Sequence, residues 1–348
     1  EEEKADVVIL NTCTVKGATE NKIMKRIERL KNKKLIIAGC MGINENRIRK
    51  IRKNAVIVHP GALGNIVDAV KNCTSGKIRT YREIEEKDNF PREITYPIYR
   101  MPIQEGCVGN CYFCQTKIAR PKLMSYNKER VISLITEAVS KGAKEIQLTG
   151  MDTGAYGIER GTTLVELLKE ISEIPGEFKV RLGMINPAHA KRMIKGIIKQ
   201  MSNSKFYKFI HLPVQTGSEK VCKEMNRSHT VKDFVYCVEK FRKEIPDILI
   251  ATDIIVGYPT EKEEDFEETK KLLSKTKPDI VNISKFTPRP GTKAKEMKQL
   301  DSKIVKNRSS ELTELSRKIA LDNNRKIIGK KYTVRITEKQ KDFTGRND

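Results

Sequence analysis

Residues 98–114 read Ile98-Tyr99-Arg100-Met101-Pro102-Ile103-Gln104-Glu105-Gly106-Cys107-Val108-Gly109-Asn110-Cys111-Tyr112-Phe113-Cys114. The apolar stretch at 98–103 reads as a buried strand, and the loop that follows it carries three of the chain's eight cysteines. Thiolates are soft ligands suited to zinc or to iron–sulfur clusters. A structural zinc site wants four ligands, usually as two close pairs. Here there are three on one short loop, with no nearby His or Cys to complete a set. Three thiolates leave one iron of a [4Fe–4S] cluster open, a place for a substrate to bind. Against this stands the reading of three coincidental or zinc-binding cysteines.

Outward from that loop, a strand–helix rhythm runs from 96 to 290. Strands are expected near 98–103, 144–149, 178–183, 208–214, 248–256 and 280–286, with helical stretches such as 131–139 between them. Six βα units are too few for a closed eightfold barrel, which takes about 250 residues. They predict an open (β/α)6 partial barrel. Polar groups cluster just after these strands: Thr149-Gly150-Met151-Asp152, Gln215-Thr216-Gly217-Ser218, Asp253, and Thr287-Pro288-Arg289-Pro290-Gly291. In barrels that rim is the active face.

Residues 1–72 repeat the rhythm on a smaller scale. Val7-Val8-Ile9-Leu10, Leu35-Ile36-Ile37-Ala38 and Val56-Ile57-Val58 read as strands apolar on both faces. A helix between the first two has Ile23, Ile27 and Leu30 on one side. The pattern predicts a doubly wound parallel sheet. Two of its strands lead into Cys13 and Cys40, at the carboxyl edge where open α/β sheets bind ligands. The lobe begins already at a strand, which suggests an earlier βα unit missing from this sequence. The expected organisation is a lobe at 1–72, a charged linker at 73–95, a barrel at 96–290, a helical connector at 291–325 (helix over 296–328), and the start of a small β domain at 326–348. That last part has a strand at 332–337.

Charge narrows the partner. The chain carries +23, with +7 in residues 1–72 and +8 in residues 291–348. Ends so basic suit a polyanion such as RNA or DNA, although solvated helix faces of a lysine-rich protein give the same count. No apolar run approaches the roughly 20 residues of a membrane span. The opening Glu1-Glu2-Glu3-Lys4 does not read as a signal peptide. Grouped cysteines without secretory context point to a reducing compartment, so the cytoplasm is expected.

The C-x3-C-x2-C spacing after the first strand of a six-unit barrel resembles the signature of the radical S-adenosylmethionine (SAM) enzymes. Further motifs resemble their methylthiotransferase branch: Asn11-Thr12-Cys13, Gly39-Cys40, His211-Leu212-Pro213-Val214-Gln215-Thr216-Gly217-Ser218, Met225-Asn226-Arg227, Ala251-Thr252-Asp253, Gly257-Tyr258-Pro259 and Pro288-Arg289-Pro290-Gly291-Thr292. Cys114 to Arg120, Asp152 to Gly157 and Arg181 to Pro187 are most similar to the archaeal and eukaryotic enzymes that act on N6-threonylcarbamoyladenosine at tRNA position 37. The resemblance covers essentially the whole chain, and the segment at 332–337 resembles the start of the family's RNA-binding TRAM domain.

What the resemblance implies is specific. Cys107, Cys111 and Cys114 would hold a [4Fe–4S] cluster that binds SAM. Cys13 and Cys40 would belong to an auxiliary [4Fe–4S] cluster whose third family ligand lies in the absent upstream unit. Tyr112, with Phe113, would cover the cluster and adenine, and Thr149, Gly150, Asp152, Gln215, Ser218 and Arg227 are expected SAM contacts by their place on the rim. Lys117, Arg120, Arg181 and Arg289 are the cations expected for the threonyl carboxylate, Arg being better suited to a bidentate grip. The partners implied are tRNA and a flavodoxin- or ferredoxin-like electron donor, with no membrane. Cys73 lies in the linker and fits no motif. Cys222 and Cys237 read as core residues, His211 as either a ligand contact or a packed histidine, and Asp253 as rim or structural. His59, His189 and His229 suggest no partner. The alternatives are methylthiolation of isopentenyl-adenosine in tRNA or of a ribosomal protein. From another class, the alternative is a non-catalytic, metal-stabilised RNA-binding protein.

Overall fold

The apolar runs of the first 81 positions become one parallel sheet. Val7–Thr12, Lys34–Gly39, Val56–Val58 and Thr80–Tyr81 lie side by side in that order. The computed structural model describes residues 4–15, 17–339 and 343–347. These form two compact units, each described in turn.

The first unit comprises Glu1–Pro91, Asn110–Lys122 and Thr287–Glu296. Both faces of its sheet are apolar, because alternate side chains of a strand point to opposite sides. One face packs Leu35, Ile37 and Ile57 against Met24 and Ile27 of helix Gly17–Arg29 and Ile48 of helix Glu45–Ile51. The other packs Ile36, Ala38, Val56 and Val58 against Ala69 and Cys73 of helix Ile66–Thr74. The first helix buries Glu20, Met24 and Ile27, so Ile23 flanks the buried stripe and an acid begins it. The stretch read as a linker supplies the fourth strand and the end of the third helix. Cys73 is therefore a buried core residue, and burial pushes its thiol up. Two-residue strands carry no periodicity, so Thr80–Tyr81 left no pattern in the sequence.

The second unit comprises Arg92–Gly109, Leu123–Phe286 and Met297–Asp348. Six of its strands fall where the apolar runs predict: Ile98–Pro102, Glu145–Thr149 and Lys179–Arg181 in one parallel sheet, Phe209–His211, Leu249–Val256 and Ile280–Lys285 in another. A parallel bridge between Val180 and Phe206 links the two. Between the strands, helices such as Lys128–Ser140, Leu164–Glu173, Val231–Glu244 and Glu263–Thr276 turn apolar faces to a single core. Phe234, Phe241 and Phe266 are fully buried there, each contributing about 1.5–3 kcal/mol of transfer free energy.

The helix read over 296–328 is Ser302–Arg325, preceded by a separate turn at Lys293–Glu296. Asp301 sets the start, its carboxylate accepting the Lys303 N–H at 2.6 Å as an N-cap. The C-terminal strand is Val334–Lys339, paired antiparallel with Phe343–Asn347. Arg335 donates to Lys144 O and Arg346 to Glu145, both at 3.0 Å, so this hairpin lies at the amino ends of the strands. Positions 340–342 and 348 of the expected β segment lie outside the described residues. Among the described residues, no helix is long and apolar enough to cross a membrane.

Candidate functional site

In the first unit, Thr12 of the edge strand Val7–Thr12 pairs with Gly39 of its neighbour, so Cys13 and Cys40 emerge side by side at the carboxyl ends of adjacent strands. Thr12 knits the two turns: its hydroxyl donates to Ala38 O at 2.6 Å and accepts from Met41 N at 3.2 Å. Gly39 is required for this approach. Its φ is +98°, and a Cβ there would lie 2.6 Å from Thr12 O. The Cys13 sulfur accepts the Val15 N–H at 3.5 Å, and Cys40 is buried at the start of the turn Cys40–Asn44.

The same unit contains Cys111 and Cys114, joined by a turn in which Cys114 N donates to Cys111 O at 3.1 Å. Cys114 stands before helix Gln115–Ala119, and its sulfur receives the N–H groups of Thr116 and Lys117 and the Thr116 hydroxyl. Burial pushes the Cys114 thiol up, and the neighbouring Cys111 acts in the same direction. A buried thiol whose ionisation a neighbouring sulfur opposes is relieved when a cation binds there. Tyr112 gives its carbonyl to Ala294 N at 3.0 Å, with Lys293 Nζ 4.4 Å above its ring. Lys117 Nζ donates to Pro121 O at 2.8 Å, and Arg120 follows the helix, half-buried. Arg289 Nη2 is taken up within the unit by Glu20, Thr14 O and Gln115.

In the second unit, Cys107 Sγ accepts the Gly109 N–H at 3.2 Å. Thr149 and Gly150 are half-buried at the end of their strand, and a Cβ on Gly150 would lie 2.9 Å from the Gln104 side chain. Asp152 is buried and engaged: Oδ1 accepts from Gly154 N and Asn186 N, while Oδ2 lies 2.9 Å from His189 Nδ1. Ser218 is buried too, its hydroxyl donating to Asp265 at 2.7 Å. Gln215 and Arg227 are half-buried. Gln215 adopts a φ of +75°, a strained backbone held between Asp253 O and Ile255 N, and such strain in a non-glycine residue persists where the surrounding structure over-determines it. Arg227 donates to Pro213 O at 2.9 Å.

His211 and Asn282 converge on Asp253 Oδ1 at 3.0 and 2.8 Å. Burial opposes the Asp253 charge, but the hydrogen bonds and nearby positive charge outweigh it and hold the carboxyl below its usual range. His189 and His229 gain the partners that sequence did not suggest. His229 lies 3.2 Å from both Asn186 Oδ1 and Val214 O, with its pKa pushed down by burial to about 3. Arg181 stacks 4.3 Å from the Phe209 ring, and burial and the Arg346 charge lower its pKa. Phe209 and Glu145 begin their strands, so this guanidinium is directed toward the strand beginnings.

The donor chemistry suits iron–sulfur ligation. Cys107, Cys111 and Cys114 are half-buried thiols on one loop, none of them in a disulfide, and the Cys107 and Cys114 sulfurs already accept backbone N–H groups, as cluster thiolates do. Next to Cys13, the Thr14 hydroxyl is a buried polar group without a partner, as is the Asn44 amide in the Cys40 turn. Among the described residues, no three His, Cys, Asp or Glu side chains converge as a metal-ligand group.

The Radical SAM superfamily model matches residues 101–273, and that of Uncharacterized protein family UPF0004 matches residues 1–59. Of solved structures, the radical S-adenosylmethionine methyltransferase TsrM from Kitasatospora setae shares the fold. Its TM-score is 0.64 at 10% identity, over 83% of this chain and 63% of that one. Fold and matched segments define a radical SAM enzyme, a class that uses a [4Fe–4S] cluster and SAM.

A probable threonylcarbamoyladenosine tRNA methylthiotransferase of Archaeoglobus fulgidus is 44% identical over 99% of this chain and 82% of its own length. Its Methanothermobacter thermautotrophicus counterpart is 41% identical over 96% and 81%. The Drosophila melanogaster threonylcarbamoyladenosine tRNA methylthiotransferase is 34% identical over 99% and 65%. The chain belongs to the threonylcarbamoyladenosine tRNA methylthiotransferase family, a group of sulfur-group transferases.

Proposed function

We propose that the protein replaces the C2 hydrogen of the adenine of N6-threonylcarbamoyladenosine, at tRNA position 37, with a methylthio group. The observation that carries this reading is the 44% identity to an archaeal relative named for that substrate, across 99% of this chain. Cys107, Cys111 and Cys114 hold the SAM-binding cluster, and Cys13 and Cys40 serve the auxiliary one. Held by those thiolates, a reduced cluster would pass one electron to bound SAM, whose C5′–S bond would break to leave methionine and a 5′-deoxyadenosyl radical.

The chain's own residues bind, orient and exclude water. Half-buried Thr149, Gly150, Gln215 and Arg227 face SAM, while buried Asp152 and Ser218 hold the loops that present them. Tyr112 covers the adenine. The threonyl carboxylate is met by Arg120, whose planar fork grips a carboxylate at two points, with Lys117 as a second positive charge. Phosphates of the tRNA are met by the basic ends, contacts that position without specifying. The reaction takes place in the cytoplasm, with a flavodoxin- or ferredoxin-like protein as electron donor.

Anaerobic incubation with SAM, reductant and two tRNAs tests this, one bearing threonylcarbamoyladenosine and the other isopentenyl-adenosine. Nucleoside mass spectrometry is expected to show the methylthio product from the first alone. Equal modification of the second overturns the substrate assignment.

A further inference from the structure

The segment at 287–296 touches the residues that follow Cys13, Cys111 and Cys114, and it reaches the turn that Cys40 begins through Gln115. Arg289, 7% exposed, donates through Nη2 to Thr14 O at 2.7 Å, and Thr14 follows Cys13. It donates equally to Gln115 Oε1 at 2.7 Å, and Gln115 follows Cys114. The Gln115 amide then reaches Asn44 Oδ1, in the turn that Cys40 begins, and Pro290 O beside Arg289, each at 3.2 Å. Lys293 and Ala294 hold the ring and carbonyl of Tyr112, which follows Cys111.

The charge at the centre is balanced locally. Glu20 is 1% exposed and takes a guanidinium from Arg289 and another from Arg47. A buried carboxylate of this kind is costly without its cations, so the pair holds only in one geometry. Packing is equally close: a Cβ on Gly17 would lie 3.0 Å from Thr287 Cγ2 and 3.1 Å from Arg289 Nη1.

We propose that 287–296 is a clasp, and that Arg289 is a positioning residue fixing the Cys13 and Cys40 turns against the Cys111–Cys114 loop. In that role it sets how efficiently radical formation leads to sulfur transfer, a consequence that rests on the function proposed above. Its guanidinium is engaged by Glu20, so it acts through the loops rather than on the threonyl carboxylate.

The test uses the full chain in two forms. In the metal-free protein, alkylation of each cysteine by iodoacetamide is followed by peptide mass spectrometry. Arg289→Lys keeps the charge but, with a differently shaped head group, does not place a donor where Nη2 meets Thr14, Gln115 and Glu20 together. It is expected to speed labelling of Cys13, Cys40 and Cys114 about tenfold by local opening, while Cys222 and Cys237 in the other unit keep their rates. In reconstituted enzyme, the ratio of 5′-deoxyadenosine to methylthiolated nucleoside should rise about fivefold, because misplaced partners waste radicals. Gln115→Ala cuts one arm of the clasp and should move both readouts in the same direction, and it decides the question should Arg289→Lys not fold. Unchanged labelling in the folded variants, or equal acceleration of Cys222 and Cys237, overturns the clasp. If the wild type makes no methylthiolated nucleoside, the functional reading fails while the labelling still decides the clasp.

Discussion

The larger unit packs Phe234, Phe241 and Phe266 into one continuous core beneath six strands. The smaller one splits its apolar side chains between two faces of a four-stranded sheet and ties its loops with the buried Arg289–Glu20 pair. Apolar packing is non-directional and roughly proportional to area, so the larger unit's framework depends on volume more than on angle. A buried ion pair depends on geometry. The cysteines at 13, 40, 111 and 114 thus sit on the part of the molecule where small displacements matter most, and the expected SAM contacts on the part held by bulk.

The largest effect separates ligand from scaffold. Cys111→Ala removes one of three thiolates on the loop and should abolish reductive SAM cleavage, measured as 5′-deoxyadenosine, with the circular dichroism of the chain unchanged. Undiminished cleavage would show that this loop holds no cluster.

Phe234→Ala, at a fully buried position, should cost about 3–5 kcal/mol in denaturant unfolding. Hydrogen exchange should quicken across 249–256 and stay unchanged across 34–39. Equal acceleration in both segments would mean that the two units share one stability and the contrast drawn above fails.

Local pattern made much of this legible. All six parallel strands of the larger unit and the three-cysteine loop followed from apolar runs and spacing, and Thr12 and Gly39 end their strands as the runs to Cys13 and Cys40 implied. Illegible were the ties that pair residues far apart in sequence. Glu20 interrupts a basic, amphipathic helix and reads as one more exposed acid, and its partner Arg289 belongs to a different stretch of chain. Asp152 and Ser218 lie on the expected rim, but their engagement with His189 and Asp265 arises only when separate βα units pack. The start of the last helix at Ser302 was readable from the Asp301 cap.

A smaller effect is a pH dependence within the larger unit. Burial pushes the Glu261 carboxyl up to about 7, more than Arg308 and the N–H groups of Gly257 and Tyr258 pull it down. A folded pKa above the unfolded one favours the fold fully below the ordinary carboxylate range, and that contribution is lost as pH rises through about 7. Glu261→Gln mimics the protonated form. It should match the wild type near pH 4 and exceed its stability by about 1–3 kcal/mol at pH 8. A difference independent of pH would place the strain elsewhere.

The smallest effect concerns the basic C-terminal region. Replacing the exposed Lys326 and Lys331 by Gln should lower the slope of log K against log salt for tRNA binding by about 0.7–0.9 for each phosphate no longer neutralised, without changing which nucleoside is modified. An unchanged slope would make these lysines ordinary solvated surface.

The division of labour between the two cysteine sets is tested most directly by measuring both products of one reaction. Reconstituted Cys13→Ala, given SAM, reductant and tRNA bearing threonylcarbamoyladenosine, is predicted to form 5′-deoxyadenosine at close to the wild-type rate and no methylthiolated nucleoside. Methylthiolation at the wild-type level in that variant, or loss of both products together, would contradict the assignment of sulfur transfer to the Cys13 edge.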